Sequence, residues 1–178
     1  QFMDEKREKL KEPAKTKRIR KGPISFNIHL TEEQKRAKAL ALENIITVFT
    51  GKPGTSKSTM VCNIALDLLI KGVLDKIIVT RPVVDVSKSM GFLPGDAFDF
   101  KEGKMAPYIS PLLETMYKLR SQKEIDDMIT KELIQILPVN FVRGRNFENC
   151  VVIVDEAQNL NYDELKALTT RICFNSKM

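Results

Sequence analysis

Two short stretches hold residues whose types and spacing are suited to handling a phosphate chain. The first is Gly51-Lys52-Pro53-Gly54-Thr55-Ser56-Lys57-Ser58, with Thr59 following. Glycines in such a turn let the backbone aim N–H groups at phosphate oxygens, and a helix opening directly after them adds its positive end. Lys57 is placed to reach the β- and γ-phosphates of a nucleotide, and Ser58 to offer its hydroxyl to Mg²⁺. The second stretch is Asp155-Glu156, directly after the apolar run Val151–Val154. Asp155 suits Mg²⁺, which keeps much of its water and takes one or two protein oxygens. Glu156 suits orienting or deprotonating an attacking water, and Gln158 lies two residues on, where it can sense a γ-phosphate.

Each stretch also has a plainer reading. The first could be a glycine-bearing surface turn with an exposed lysine, the second a strand ending in solvated acids that cap a helix. Ser56 stands immediately before the lysine, where the general phosphate-loop pattern has glycine. If that position needs a positive φ, a side chain there costs roughly 1–2 kcal/mol. The alternative is a loop that adjusts and gains a hydroxyl contact from Ser56.

Elements must exist to position these groups. Ile45 to Phe49 is a continuous β-branched and aromatic run, expected as a buried strand leading into the loop. Lys57 to Ile70 has apolar residues at helical spacing, with Gly72 as a stop. Ile77–Val79 and Val151–Val154 read as buried strands, and Val139–Val142 as a further strand candidate. Thr31 and Gln34 have capping-box spacing ahead of a helix to Glu43, and Asn161 is the expected N-cap of a helix over Tyr162–Ile172. Leu112 to Leu137 reads as one or two helices, and residues 83–111, rich in Gly and Pro, as a long loop. Strands alternating with helices predict an α/β fold with a mostly parallel sheet flanked by helices.

Charge divides the chain. The net charge is +6, but residues 1–22 carry nine Lys or Arg against four acids, while the remainder is almost balanced. A basic flexible tail over 1–22 and a core over 23–178 are expected. Such a tail is either a solvated extension or a sequence-blind contact for polyanions. No apolar run reaches the length of a membrane span, so no membrane partner is expected. The three cysteines and one histidine lack metal-site spacing, which fits reduced thiols in a cytoplasmic protein.

The chain resembles the PhoH-like ATPases, phosphate-starvation-inducible P-loop proteins related to superfamily 1 helicases. The likeness is carried by the Gly51–Ser58 string, Thr80-Arg81-Pro82, Gly91-Phe92-Leu93-Pro94-Gly95-Asp96, Arg143-Gly144-Arg145 and Val154-Asp155-Glu156-Ala157-Gln158-Asn159. It implies a RecA-like core that binds and hydrolyses ATP with Mg²⁺ and works on RNA or single-stranded DNA. It gives Lys57 and Ser58 to phosphate and Mg²⁺, and Asp155 and Glu156 to Mg²⁺ and water activation. It makes Gln34 a reader of adenine, against its capping-box role. It makes Arg81 a contact for nucleic acid or a neighbouring subunit, against a surface salt bridge. Arg143 and Arg145 suit phosphate recognition or a neighbour's ATP site, against a solvated loop.

The sequence departs from the family pattern at Ser56, at Lys52 in place of a proline, and around Lys88, where the family usually has an acid. The family pattern also continues beyond Met178 into a further strand and a γ-phosphate-sensing loop, so a core lacking C-terminal strands is expected. Helicase-like cores need two lobes, which predicts a homo-oligomer, a ring or a dimer. Two other functions compete: a nucleotide-binding module with little turnover, and a small kinase with residues 83–111 as its lid.

Overall fold

The computed structural model describes residues 30–82, 106–142 and 144–178. The 1–22 tail, the 91–96 string, Lys88 and Arg143 lie outside the described residues. Helix α1 spans Glu32–Glu43 and α2 spans Lys57–Ile70. Strand β1 is Lys76–Thr80, followed by α3 at Ala106–Leu119, α4 at Gln122–Thr130 and β2 at Ile134–Ile136. After a 3₁₀ turn at Val139–Phe141 come β3 at Cys150–Val154, a second 3₁₀ turn at Ala157–Asn159 and α5 at Tyr162–Thr169.

The sheet is parallel, in the order β2–β1–β3, with Ile78 opposite both Gln135 and Val152. β1 and β3 are apolar almost throughout because both faces are covered. Alternation sends Ile77, Val79, Val151 and Ile153 into a core shared with α2, α3 and α4. Ile78 and Val152 enter a second core with Val142, Phe147 and Leu168. Each such aliphatic side chain, taken wholly out of water, contributes about 1.5–3 kcal/mol. Together the two layers clamp β1 between β2 and β3.

Four expectations change. Ile45–Phe49 is extended but forms no strand with a ladder of its own. Among the described residues its backbone bonds only Met178: Met178 N–H donates to Ile45 O, and Thr47 N–H to Met178 O, both at 2.8 Å. A central strand needs a partner along its whole length, and here Lys177 and Met178 are the neighbours. Ile45 and Val48 consequently remain 63% and 76% exposed. Ile134–Ile136, read as helix from its charged surroundings, is instead strand β2, because β1 offers it a free edge. Val139–Val142 forms a 3₁₀ turn after Pro138, the sheet edge having been filled by β2. Finally, α3 begins at Ala106 and contains Pro111, so the last six residues of the expected loop are helical. Pro107 falls in the first turn, where an N–H has no partner to lose, and Pro111 forfeits one backbone bond.

The chain's last residues hold the margin of the sheet. Phe147 pairs in parallel with Ile172, and Val151 with Lys177. Lys177 Nζ donates to Leu42 O at 2.7 Å and Asn44 O at 2.9 Å. It thereby caps the C-terminus of α1, whose own last turn has no basic residue.

Candidate functional site

Residues 45–47 run parallel to β3, with Lys177 and Met178 between them. The loop that follows therefore emerges at the C-terminal end of the sheet, where Asp155 and Glu156 leave β3. Helix α2 leads back from the loop across the sheet, and its Cys62 feels the Asp155 charge. Burial, with that charge added, pushes the Cys62 thiol up to about 12. The Gly51–Ser58 loop and the acidic pair thus share one end of the fold.

The loop is tightly wound. Gly51 has φ 151° and Gly54 φ 79°. A Cβ on Gly51 would meet Thr55 Oγ1 at 3.3 Å, so the close approach there depends on its absence. Thr55 Oγ1 donates to Lys52 O at 2.8 Å. Lys57 Nζ folds back and donates to Gly51 O at 2.8 Å and Lys52 O at 2.9 Å. The lysine is therefore already inside the turn, held by carbonyl oxygens. Ser56 is left-handed, at φ 62° and ψ 25°, and its side chain makes no capping bond to α2. The structure thus settles the condition left open by the sequence: this position has the backbone that favours glycine, and serine occupies it under strain. Pro53 and Ser58 are exposed, and Thr59 is half-buried in the first turn of α2.

The acidic pair is held by β1. Asp155 N–H donates to Thr80 O at 3.0 Å, which extends the β1–β3 ladder by one bond. Arg81, the first residue past β1, reaches Asp155 Oδ2 through Nη1 at 3.7 Å. Its Nη2 lies 3.7 Å from Glu156 Oε1. One guanidinium therefore faces both carboxylates, with the Arg81 and Asp155 side chains only 25% and 21% exposed. Burial lifts the Asp155 carboxyl above its usual range, Arg81 opposes that, and Glu156 adds to it. Glu156 has φ 53°, also left-handed, and accepts a hydrogen bond from Gln158 Nε2. The buried hydroxyl of Thr80, the last residue of β1, has no hydrogen-bond partner among the described residues.

Other expected site residues fall elsewhere. Gln34 completes the capping box, its Oε1 accepting from Thr31 N–H at 3.0 Å, which leaves its Nε2 and one lone pair of Oε1 for any further contact. Arg145 lies in the turn before β3 and lines a depression on the other face of the sheet. The sequence allowed Arg81 a salt bridge as the alternative to a nucleic-acid or subunit contact, without naming the two acids as its partners. The signal was available: Arg81 and Asp155 are each the first residue after neighbouring strands that end in register at Thr80 and Val154.

The donor set suits Mg²⁺. Ser58 and Asp155 offer a hydroxyl and a carboxylate, hard oxygens of the kind this ion takes, with its other positions left to phosphate and water. Among the described residues no cluster of three or more His, Cys, Asp or Glu is arranged to hold a metal ion.

A model of the family described as PhoH-like protein matches residues 28–178. The chain belongs to this family. The PhoH-like protein of Synechocystis is 36% identical over 133 residues, 75% of this chain and 39% of the relative. The PhoH-like protein of Bacillus subtilis is 35% identical over 148 residues, 83% of this chain and 45% of the relative. Protein PhoH of Escherichia coli K12 is 36% identical over 135 residues, 74% of this chain and 37% of the relative. The chain thus spans less than half the length of these PhoH relatives. Among the described residues, no helix is long and apolar enough to cross a membrane.

Proposed function

We propose that this PhoH-family chain binds ATP with Mg²⁺ at the loop and acidic pair and hydrolyses it, coupling turnover to single-stranded RNA or DNA in the cytoplasm. The observation that supports this most is the delivery of Gly51–Ser58 and Asp155–Glu156 to one end of a parallel sheet. In such sheets, ligands gather beyond the carboxyl ends of the strands.

The residues divide the work by type. The turn presents backbone N–H groups to the phosphates, and the N-terminus of α2 adds its dipole. Lys57 exchanges the carbonyls of Gly51 and Lys52 for phosphate oxygens. Ser58 and Asp155 would hold Mg²⁺, which when bound neutralises charge on the phosphates. Glu156, the more exposed of the two acids, orients a water and takes its proton. Gln158, bonded to Glu156, fixes that carboxylate. Gln34 Nε2 is left to meet adenine. A second subunit in a ring or dimer closes the site, and the basic 1–22 tail adds phosphate contacts to the strand.

Phosphate release from ATP, with Mg²⁺ and with or without RNA, tests this reading. Turnover lost in Lys57→Ala and Glu156→Gln supports hydrolysis. A second reading, a binding module with little turnover, is favoured by the strained Ser56 and by Arg81 occupying both acids. Binding of a labelled ATP analogue with no release at any RNA concentration would establish it. A single-subunit mass by light scattering, with and without ATP, would refute the oligomer.

A further inference from the structure

The sheet has a second concavity, on the face turned away from α2. It is an open depression of about 260 Å³ between the first half of β1, the end of β2 and the turn before β3. Its polar lining is Lys76, Gln135, Arg145 and Asn146, and its floor includes Ile78 and Leu137. Alternation explains the grouping: Lys76 and Ile78 share a face of β1, and Gln135 stands opposite Ile78 on β2. The Lys76 charge is felt by Cys150, its register partner on the same face. The site is distinct from the loop and acids. Lys76 begins β1 and Arg81 follows its end, a separation of about 16 Å at the rise of a strand.

The lining carries two cations and no acid. Asp75 and Glu148 adjoin it in sequence but do not line it. Neither Lys76 nor Arg145 makes an ion pair with a described residue. Gln135 Nε2 makes one long bond, 3.4 Å, to Glu132 O. Its Oε1 and the amide of exposed Asn146 remain to exchange donor–acceptor pairs. The chemistry is divided in a specific way: positive groups for a phosphate and amides for the polar edge of a base, set above the nearly buried Ile78 and Leu137. The volume falls below the usual range for drug-sized ligands, about 300–1,000 Å³, and suits a single unit.

We propose that this pocket binds one nucleotide unit, phosphate and base together, either as a free mononucleotide or as one link of a single strand. The inference deepens the nucleic-acid half of the proposed function and does not need the loop to bind ATP.

Two probes separate the sources: uridine monophosphate, followed by calorimetry, and a fluorescein-labelled twelve-residue oligouridylate, followed by anisotropy. Both are titrated into the 178-residue chain and its Arg145→Glu, Lys76→Gln and Asn146→Ala variants. Arg145 and Asn146 are exposed, so at least two variants keep the fold, checked by circular dichroism. Affinity for at least one probe is expected to fall about tenfold or more in Arg145→Glu and Lys76→Gln, the loss of a charge-assisted bond. For the oligonucleotide, each lost phosphate contact should flatten the plot of log affinity against log salt by about 0.7. Loss on the monophosphate assigns the pocket to free nucleotides, and loss on the oligonucleotide alone assigns it to a strand.

Lys57→Ala is run beside them with a labelled ATP analogue. If the analogue fails to bind even the parent while Arg145→Glu still weakens a probe, the loop reading falls and the pocket stands. If the analogue binds but neither probe distinguishes the parent from the folded Arg145→Glu and Asn146→Ala variants, the pocket is refuted. It is equally refuted if neither probe binds the parent at millimolar concentration.

Discussion

Replacing Ser56 by glycine should make the protein more stable. Ser56 sits at φ 62° and ψ 25° with no capping bond from its hydroxyl, so its side chain contributes strain and no compensating contact. A left-handed residue other than glycine costs roughly 1–2 kcal/mol. Glycine removes that strain but frees the unfolded chain, which returns about 0.5–1 kcal/mol. The balance is a gain of up to about 1.5 kcal/mol, or a melting temperature raised by up to roughly 6 °C for a chain of this size. Ser56→Ala keeps the Cβ and loses only the hydroxyl, so it should melt within a degree or so of the parent. Thermal melts of the three proteins followed by circular dichroism provide the comparison. The reasoning fails if Ser56→Gly melts lower than the parent. It also fails if Ser56→Ala loses several degrees, since the hydroxyl would then have a partner that the geometry denies it. Nucleotide affinity gives a second reading. If the loop keeps its shape on binding, the strain is the same in both states and Ser56→Gly leaves affinity unchanged. A tighter complex would show that binding requires the loop to pass through a conformation glycine reaches more readily.

Three further outcomes follow from other parts of the structure. Lys177→Ala should lower stability by about 1 kcal/mol, because two carbonyls at the end of α1 lose their cationic donor, and urea titration reads the shift directly. Burial raises the Asp67 carboxyl, but its hydrogen bond to Lys71 and the charges of Lys38 and Lys71 outweigh that and hold it below the usual value of 3.8. Its stabilising effect is therefore full above that pH and lost as pH falls through the lower folded value, so Asp67→Asn should narrow the gap between melts at pH 7 and pH 3. Cys62, pushed up to about 12, and Cys150, raised by burial, should resist a thiol reagent at pH 8, leaving half-buried Cys173 to react first. Mass spectrometry of the native and urea-unfolded protein counts one label against three.

Much of the frame could be read along the chain because its signals are local. Thr31 with Gln34 and Asn161 with Glu164 form capping boxes within one turn, and α2 begins and ends where its apolar spacing and Gly72 require. Val151–Val154 is long and apolar enough to be a buried strand in most settings. The misreadings occur where partners elsewhere decide. Ile134–Ile136 is too short for its period to show, and becomes a strand because β1 lies open beside it. Ile45–Phe49 has the composition of a central strand, but its backbone pairing comes from Met178, more than 130 positions away. The loop and acids were evident from residue types. The bridging of Asp155 and Glu156 by Arg81 was not, because it depends on the register of β1 against β3.

That register has a mechanical consequence. Arg81 and Asp155 are successors to paired residues, and the bond from Asp155 N–H to Thr80 O leaves no slack between the two strand ends. An anion that draws the guanidinium away would strip the counter-charge from both acids in a single movement, without hinge, lid or relay. Whatever touches this arginine from outside is at once felt by the groups within.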